Sequence, residues 1–286
     1  MTTVVSVHDL TKTYGTGELA VDAVRHVDLD IDAGEVVLVM GPSGSGKTTL
    51  LLMLGAMLRP TSGSVHVDGT DVATAREREL PPLRARRFGF VFQDFNLLSA
   101  LDALENVELA CNLAGVTGRV ARHRATDLLT RFGLGNRLHF RPDQLSGGEK
   151  QRVAIARALA NDAPVVLADE PTANLDSSHG RDIARVLRNL ATEDGRSVVI
   201  VSHDQRLKEI ADRVLWLEDG EFRELTAMAT DPVCEMAIET GDGIHVEHDG
   251  AVFWFCSPYC RDEFLGHPAR FLTDAEAAAP ATEERR

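Results

Sequence analysis

Three uninterrupted apolar runs, rich in β-branched residues, stand out in the hydrophobic pattern of the chain. Continuous runs of this length are typical of strands that are buried on both faces of a sheet. A different pattern comes earlier, where apolar residues alternate with Asp28, Asp30 and Asp32, and this alternation predicts a strand with one solvent-facing side. The three runs cover residues 35–40, 165–168 and 197–201.

Helical periodicity fills much of the chain between these runs. Buried strands that alternate with helices indicate a parallel sheet with crossover connections, and therefore an α/β fold. No comparable strand pattern occurs between about residues 95 and 160, so we expect a helical insert there. The helical patterns cover residues 47–57, 101–113, 121–132, 148–160 and 180–191.

Composition, the lengths of the apolar runs and the net charge limit the classes of protein to which the chain can belong. The 286 residues are 44% hydrophobic and 26% charged, which is typical of a globular chain. No apolar run approaches the roughly 18 residues that a membrane-spanning helix needs, and residues 1–20 lack the apolar core of a signal peptide. Any membrane role is therefore expected to depend on another chain. The net charge of −14 argues against a nucleic-acid partner.

The charge pattern changes near Leu225, which predicts a domain boundary. Residues 226–272 contain eight acidic residues and two arginines, and three of the four cysteines lie in this segment. We therefore divide the chain into a first domain of residues 1–225 and a second of residues 226–272. The remaining residues, 273–286, are rich in Ala and Glu and are expected to form a disordered tail.

A glycine-rich loop follows the first buried run and opens a predicted helix. The segment from Gly41 to Thr48 fits the pattern G-x-x-x-x-G-K-[ST], in which backbone N–H groups cradle phosphate oxygens. In this pattern Lys47 reaches the β- and γ-phosphates, and the Thr48 hydroxyl binds Mg²⁺. The predicted nucleotide-binding residues of the loop are Gly41, Pro42, Ser43, Gly44, Ser45, Gly46, Lys47, Thr48 and Thr49.

Two acidic residues end the second buried run. Ligands of open α/β sheets bind at the carboxyl ends of the strands, so this pair is expected beside the phosphate loop. Asp169 is predicted to hold Mg²⁺, and Glu170 to orient or deprotonate the attacking water.

A second glycine turn indicates a site shared between two subunits. Ser146, Gly147, Gly148 and Glu149 stand where a helix begins, a place that favours anions. This turn lies about a hundred residues beyond the phosphate loop and after the helical insert, so one chain is not expected to bring both to one nucleotide. A twofold dimer would do so, with each ATP between the loop of one subunit and the turn of the other.

Together these motifs resemble the ATP-binding subunits of ABC transporters over about residues 3–225. The resemblance implies a P-loop NTPase fold with a mixed core sheet, an N-terminal antiparallel β subdomain and a helical insert. It also implies that Gln93 contacts Mg²⁺ and water and couples to the membrane partner, and that His203 steadies the γ-phosphate. By the same resemblance Tyr14 stacks on adenine, and Asp176 communicates across the dimer.

Within this family the chain is similar to the macrolide-export and lipoprotein-release subgroup. The similarity rests on residues 104–107 and on residues 168–176, in which Ala173 stands where the subgroup commonly has glycine. It implies an ATPase that forms a homodimer with ATP and drives a separate integral membrane permease from the cytoplasmic face of the membrane. Two alternatives remain at this point: a cell-division ABC ATPase, and a soluble ABC regulator with a metal-sensing domain.

Three clustered cysteines mark the acidic C-terminal segment. Cys234, Cys256 and Cys260 have the spacing C-x21-C-x3-C, and three thiolates suit Zn²⁺ or Cu⁺. Residues 230–272 resemble the YHS domain, a small α+β domain close to the TRASH metal-sensing domains. The sequence leaves the fourth ligand open among Asp231, His245, His248 and His267, and it also allows that the cysteines merely pack in a small core.

Overall fold

The computed structural model describes residues 2–67, 69–223, 228–234, 236–239, 244–248 and 251–271. The chain divides into two units, Met1–Arg223 and Glu224–Arg286, and each is described by itself. The boundary that we place near Leu225 stays a prediction, because Leu225 lies outside the described residues. The predicted tail of residues 273–286 also lies outside them.

The first unit contains two sheets. In chain order its strands are β1 (Thr3–Tyr14), β2 (Val21–Asp32), β3 (Val36–Met40), β4 (Ser62–Val67), β5 (Thr70–Asp71), β6 (Phe88–Val91), β7 (Val165–Asp169), β8 (Ser197–Val201), β9 (Arg213–Glu218) and β10 (Glu221–Arg223). An antiparallel sheet has the order β2-β1-β4-β5, and a mixed sheet has the order β10-β9-β3-β8-β7-β6. The three apolar runs of the sequence are the adjacent central strands β3, β8 and β7, which pair in parallel.

In the described part of the first unit, six α-helices connect these strands. They are α1 (Lys47–Leu54), α2 (Leu80–Arg87), α3 (Ala103–Leu113), α4 (Gly118–Arg131), α5 (Gly147–Ala158) and α6 (Ser177–Thr192). The helix predicted to run to Met57 ends at Leu54, because Ala56 takes a left-handed φ of 57° that no α-helix continues. No strand lies among residues 95–160, so the predicted helical insert is present.

The mixed sheet is buried on both faces. Alternate residues of β3 enter two different apolar clusters: Val36, Leu38 and Met40 pack in one, and Val37 and Val39 pack in the other. The first cluster is formed mainly with α3, α4, α5 and α6, and the second with α1 and the antiparallel sheet. This double burial explains why the central strands lack the polar alternation of β2.

A buried asparagine fixes the start of the helical insert. Asn106 on α3 is 1% exposed, and its Nδ2 donates to the carbonyl oxygens of Leu98, Leu101 and Asp102. Its Oδ1 accepts from the backbone N–H of Leu98. Asp102 and Glu105 close a capping box at the first turn of α3. The chain that enters the insert is therefore held by side-chain bonds rather than by a strand.

The second unit has a small aromatic core. Its described elements are β11 (Met228–Thr230), β12 (Ala237–Glu239), β13 (Ile244–His248), β14 (Ala251–Phe255) and α7 (Pro258–Gly266). The strands form two antiparallel hairpins. The ring of Phe264 is fully buried on α7 and contacts the rings of Phe253 and Phe255, with centroids 5.0 and 5.2 Å away.

Replacing Asn106 tests the anchoring of the insert. We expect Asn106→Ala to lower the free energy of unfolding by about 2 kcal/mol, because it leaves buried backbone groups without partners. Asn112→Ala is the matched control, since Asn112 is an exposed asparagine on the same helix, and it should change the value by less than about 0.5 kcal/mol. Chemical unfolding of the full chain measures both, and equal effects would contradict the role of Asn106.

Candidate functional site

The glycine-rich loop connects β3 to α1 and depends on close backbone contacts. Gly46 precedes the first residue of α1 with a φ of 99°, and a Cβ there would lie 1.9 Å from the carbonyl oxygen of Ala23 on β2. Gly41 has a φ of 150°, and its Cβ would meet the carbonyl oxygen of Leu217. The loop can therefore curl between β2 and β9 only where these positions lack side chains.

The ammonium of Lys47 lies inside this loop. Its Nζ donates to the carbonyl oxygens of Gly41 and Pro42, at 2.8 and 2.7 Å. Burial lowers the pKa of Lys47, and the nearby carboxylates of Glu170 and Asp169 oppose that shift. The loop thus holds a desolvated cation next to two acidic side chains.

Thr48 and Asp169 meet beside the loop, although they stand far apart in the sequence. The Thr48 hydroxyl donates to Asp169 Oδ1 over 3.1 Å. Burial raises the pKa of Asp169, and the bond from Thr48 partly offsets the shift. Ser45 Oγ is buried and has no partner among the described residues. A hydroxyl, a carboxylate and an unpaired buried oxygen at the start of a helix form a donor set that fits a hydrated Mg²⁺ with a phosphate.

Glu170 follows β7 and is held through both carboxylate oxygens. Its Oε1 lies 2.9 Å from His203 Nδ1, and its Oε2 accepts from the Ser202 hydroxyl at 2.7 Å. The backbone of Glu170 takes a φ of 45°, a left-handed conformation that is uncommon for a residue with a side chain. Its N–H donates to the carbonyl oxygen of Val201. The carboxylate is thus fixed by the strand that ends beside it.

A cavity of about 590 Å³ collects most of these side chains. The structure therefore brings together the loop, the acidic end of β7, the histidine after β8 and the glutamine after β6, as the sequence predicts. Gly41, Pro42, Ser45 and Asp169 are not among the lining residues. Gly41 and Pro42 contact the lining through Lys47, and Asp169 contacts it through Thr48. The cavity is lined by Ala23, Ser43, Gly44, Gly46, Lys47, Thr48, Thr49, Gln93, Glu170 and His203.

The second glycine turn does not reach this cavity. None of the described residues that line it belongs to the turn of residues 146–149. Ser146 instead caps α5 in a reciprocal capping box with Glu149. The backbone N–H of Ser146 lowers the pKa of Glu149, and the Arg137 guanidinium acts in the same direction. Within one chain the predicted nucleotide site is therefore incomplete.

Asp176 and Tyr14 also lie outside the cavity lining. Asp176 caps α6 and accepts from the backbone N–H groups of Ser178 and His179, the second of which contributes most to lowering its pKa. Tyr14 ends β1 with 45% of its surface exposed, and the Lys12 ammonium lies 5.4 Å from its ring centroid. The ring is exposed, and its stacking on adenine stays a prediction.

Two contacts join the segments around α6 to the rest of the site. Asn174 Nδ2 donates to the carbonyl oxygen of Gln93 at 2.8 Å. The His179 ring packs on Gly148, where an added Cβ would come within 2.9 Å of the ring. The segment before α6 therefore contacts the glutamine after β6, and the first turn of α6 contacts the turn that opens α5.

In the second unit, a buried carboxylate joins the three clustered cysteines. The Sγ of Cys256 lies 3.5 Å from that of Cys234 and 3.6 Å from that of Cys260. One ligand atom from each of Asp231, Cys234, Cys256 and Cys260 can be chosen so that all lie within 4.8 Å of one another. Of the fourth ligands considered from sequence, the cluster contains Asp231 and none of the three histidines.

The electrostatics of this thiol cluster depend on Asp231. Burial favours the neutral form of Asp231, but backbone N–H groups of Cys256 and Val233 outweigh it and lower its pKa to about 2. Burial raises the pKa of Cys234, and hydrogen bonding to Asp231 raises that of Cys256. The protonated forms of Cys234 and Cys256 are therefore favoured, and a metal ion that bound here would have to displace these protons.

Sequence reasoning missed Ser202 as a contributor to the site. Its position was visible, since it ends the third apolar run immediately before His203. Its contact with Glu170 joins residues 32 apart in the chain and depends on the pairing of β7 with β8. Sequence reasoning also missed Ala23 on β2 as a lining residue of the cavity, because a small apolar side chain in a strand carries no chemical signal.

Comparison with known proteins places the first unit in a family. Residues 24–173 match the model of the ABC transporter family. A relative from Thermotoga maritima, an uncharacterized ABC transporter ATP-binding protein, is 48% identical over 222 residues, which are 78% of this chain and 94% of that protein.

The chain belongs to the ABC transporter family. In Paracoccus denitrificans, the macrolide export ATP-binding/permease protein MacB 1/2 is 50% identical over 77% of this chain. The match covers only 33% of that longer protein. A dimeric post-hydrolysis structure of the ATP-binding cassette MJ0796, bound to ADP and Pi, superposes with a TM-score of 0.71 at 43% identity. The superposition covers 77% of this chain and 97% of the MJ0796 chain.

These matches confirm the predicted fold class and the enzyme class. The first unit is an ABC ATPase, a class of enzyme that in general binds ATP and Mg²⁺. Residues 229–275 match the YHS domain, so the second resemblance is confirmed too. Among the described residues, no helix has the length and hydropathy to cross a bilayer.

Substituting Gly46 tests the closeness of the loop to β2. We expect Gly46→Ala to weaken nucleotide binding at least about tenfold, because the new Cβ meets a strand carbonyl rather than a movable side chain. Gly195→Ala is the control, since Gly195 has a similar φ of 66° with open space around it. Titration with a fluorescent ATP analogue compares the two, and equal binding by both variants would contradict this account of the loop.

Proposed function

We propose that the chain is the ATP-hydrolysing subunit of a transporter whose membrane permease is a separate protein. The observation that carries this proposal is the single cavity that joins Lys47, Thr48, Glu170 and His203 while leaving out the turn at Ser146. Half of a shared site is what an ABC subunit presents before it dimerises. The MacB relatives are named as combined ATP-binding/permease proteins, of which this chain spans about a third, and they favour an exporter or lipoprotein-release system.

The roles that we assign follow the positions of the residues. Lys47, Ser45 and the loop N–H groups bind the phosphates, while Thr48, Asp169 and Gln93 hold Mg²⁺. When bound, the metal neutralises charge on the phosphates. Glu170 orients the attacking water and takes its proton as the new P–O bond forms and the bond to ADP breaks. His203 steadies the γ-phosphate, and Tyr14 stacks on adenine.

We infer that two copies complete each other's sites. In this arrangement Ser146, Gly147, Gly148 and Glu149 of one copy face the nucleotide held by the loop of the other. Asp176, on a segment that contacts both Gly148 and Gln93, communicates between the two sites. The dimeric MJ0796 structures support the assembly.

The permease is expected to dock beside Gln93, on the cytoplasmic face of the membrane. A mostly apolar groove of about 400 Å³ includes Phe90, Phe92 and Leu113 in its lining. Phe92 lines this groove, and the next residue, Gln93, lines the phosphate cavity. A permease segment bound in the groove therefore contacts Phe92, the residue before the catalytic Gln93. This contact supports coupling between transport and hydrolysis.

The second unit offers a metal site as a separate function. Cys234, Cys256 and Cys260, with Asp231 beside them, supply three soft sulfurs and one oxygen within a small space. This donor set suits Zn²⁺ or Cu⁺. We propose that the YHS domain binds such an ion, which would also stabilise a unit with a core of only a few aromatic rings.

Trapping ATP tests the shared site. Glu170→Gln should bind Mg·ATP, lose nearly all turnover and form a stable dimer, because it lacks the carboxylate that activates water. Adding Ser146→Arg should keep that protein monomeric, since the arginine blocks the partner's nucleotide. Analytical ultracentrifugation with Mg·ATP measures both. A Glu170→Gln protein that stays monomeric at high concentration would refute the shared site.

Metal analysis tests the thiol cluster. After loading with Zn²⁺ or Cu⁺ and removal of excess metal, the full chain should retain about one ion. Cys256→Ser should lose it, because that sulfur is the one between the other two. The control is Cys111→Ala, in which the cysteine buried in the first unit is removed. A wild-type chain that retains no metal would rule the site out.

A further inference from the structure

Ser202 carries a buried hydroxyl beside the phosphate cavity. Its side chain is fully buried at the end of β8, and Oγ donates to Glu170 Oε2 over 2.7 Å. The same Oγ accepts from the backbone N–H of Asp204 at 3.1 Å. Ser202 is absent from the cavity lining, so among the described residues its contact with the site runs through Glu170.

The neighbours of Ser202 decide which way its proton points. A serine hydroxyl carries one proton, and a carboxylate oxygen only accepts. Because the N–H of Asp204 already approaches Oγ as a donor, the serine proton is directed to Glu170. The Ser202 hydroxyl therefore links the backbone after β8 to the carboxylate after β7, accepting from the first and donating to the second.

The Asp204 end of this link is held rigidly. Asp204 Oδ2 accepts from the Thr172 hydroxyl and from Arg206 Nη2, both at 2.7 Å. Asp204 Oδ1 accepts from Arg206 Nε at 2.8 Å. These bonds fix the turn that carries the Asp204 N–H, so the orientation of the Ser202 hydroxyl is set before any nucleotide binds.

Glu170 needs such support more than an ordinary strand-end residue. Its left-handed backbone aims the side chain into the cavity, and its two carboxylate oxygens have different partners. The His203 side chain is 73% exposed, whereas the Ser202 side chain is fully buried. One oxygen thus has an exposed partner and the other a buried partner, which leaves Ser202 to set the angle of the carboxylate.

We propose that Ser202 is a positioning residue for ATP hydrolysis, which holds Glu170 Oε2 so that the carboxylate faces the attacking water. The proposal rests on the proposed role of Glu170. It predicts a loss in kcat without a loss in nucleotide affinity, because a small misplacement of a reacting group slows chemistry while leaving binding unchanged.

The test compares two buried serines at opposite ends of β8. Ser202→Ala in the full chain should lower kcat for Mg·ATP by about 10-fold to 100-fold and leave KM within about twofold. Ser197→Ala is the matched control. Ser197 is 1% exposed. Like Ser202 it makes two hydrogen bonds through Oγ, but both go to backbone groups: it donates to the carbonyl oxygen of Asp32 and accepts from the N–H of Gly34. Its kcat should stay within about twofold of wild type, although stability falls similarly.

Further variants separate the hydroxyl from packing and from Glu170. Ser202→Thr keeps the hydroxyl and should recover most of the lost rate, and the thermal midpoint of each variant checks folding. Wild-type kcat in Ser202→Ala, or an equal loss in folded Ser197→Ala, would overturn the proposal while a dead Glu170→Gln still supports Glu170. Full turnover in Glu170→Gln would instead refute the role of Glu170, and this inference with it.

Discussion

Parallel hydrogen bonding among β3, β8 and β7 is the constraint on which the nucleotide site depends. Val39 pairs with Val201, and Val201 pairs with Asp169, so the three strands end together. The glycine loop, the acidic pair and the segment of Ser202 and His203 leave the sheet at one edge because of this register. A slip of one residue would turn alternate side chains to the other face and separate Glu170 from Ser202.

Much of this arrangement could be predicted from the sequence, because buried strands and their end residues leave a strong local signal. The loop, Asp169, Glu170 and His203 were located by the runs that precede them. The sequence carries no comparable signal for a contact that depends on register, such as that of Ser202 with Glu170. The end of α1 at Leu54 was also missed, because a left-handed alanine has no sequence signature.

The two units are stabilised by different interactions. The first buries a six-stranded sheet between two large apolar clusters, so its polar site can tolerate a desolvated lysine and a left-handed glutamate. Among its described residues, the second has few fully buried side chains, centred on Phe264, and it places Asp231 and three thiols beside them. Backbone N–H groups of Val233 and Cys256 hold the Asp231 carboxylate beside the thiols, a placement that spacing alone does not reveal.

The bond between Asn174 and Gln93 has a consequence for mutational tolerance. Asn174 donates to the main-chain carbonyl of Gln93, not to its amide. Any residue at position 93 offers that carbonyl, so substitutions there change the chemistry of the cavity without breaking the link. At position 174 the reverse holds, because the donor belongs to the side chain. Substitutions at position 93 should therefore alter the chemistry of the cavity and keep this hydrogen bond. Substitutions at position 174 should remove the hydrogen bond and leave the Gln93 side chain in place.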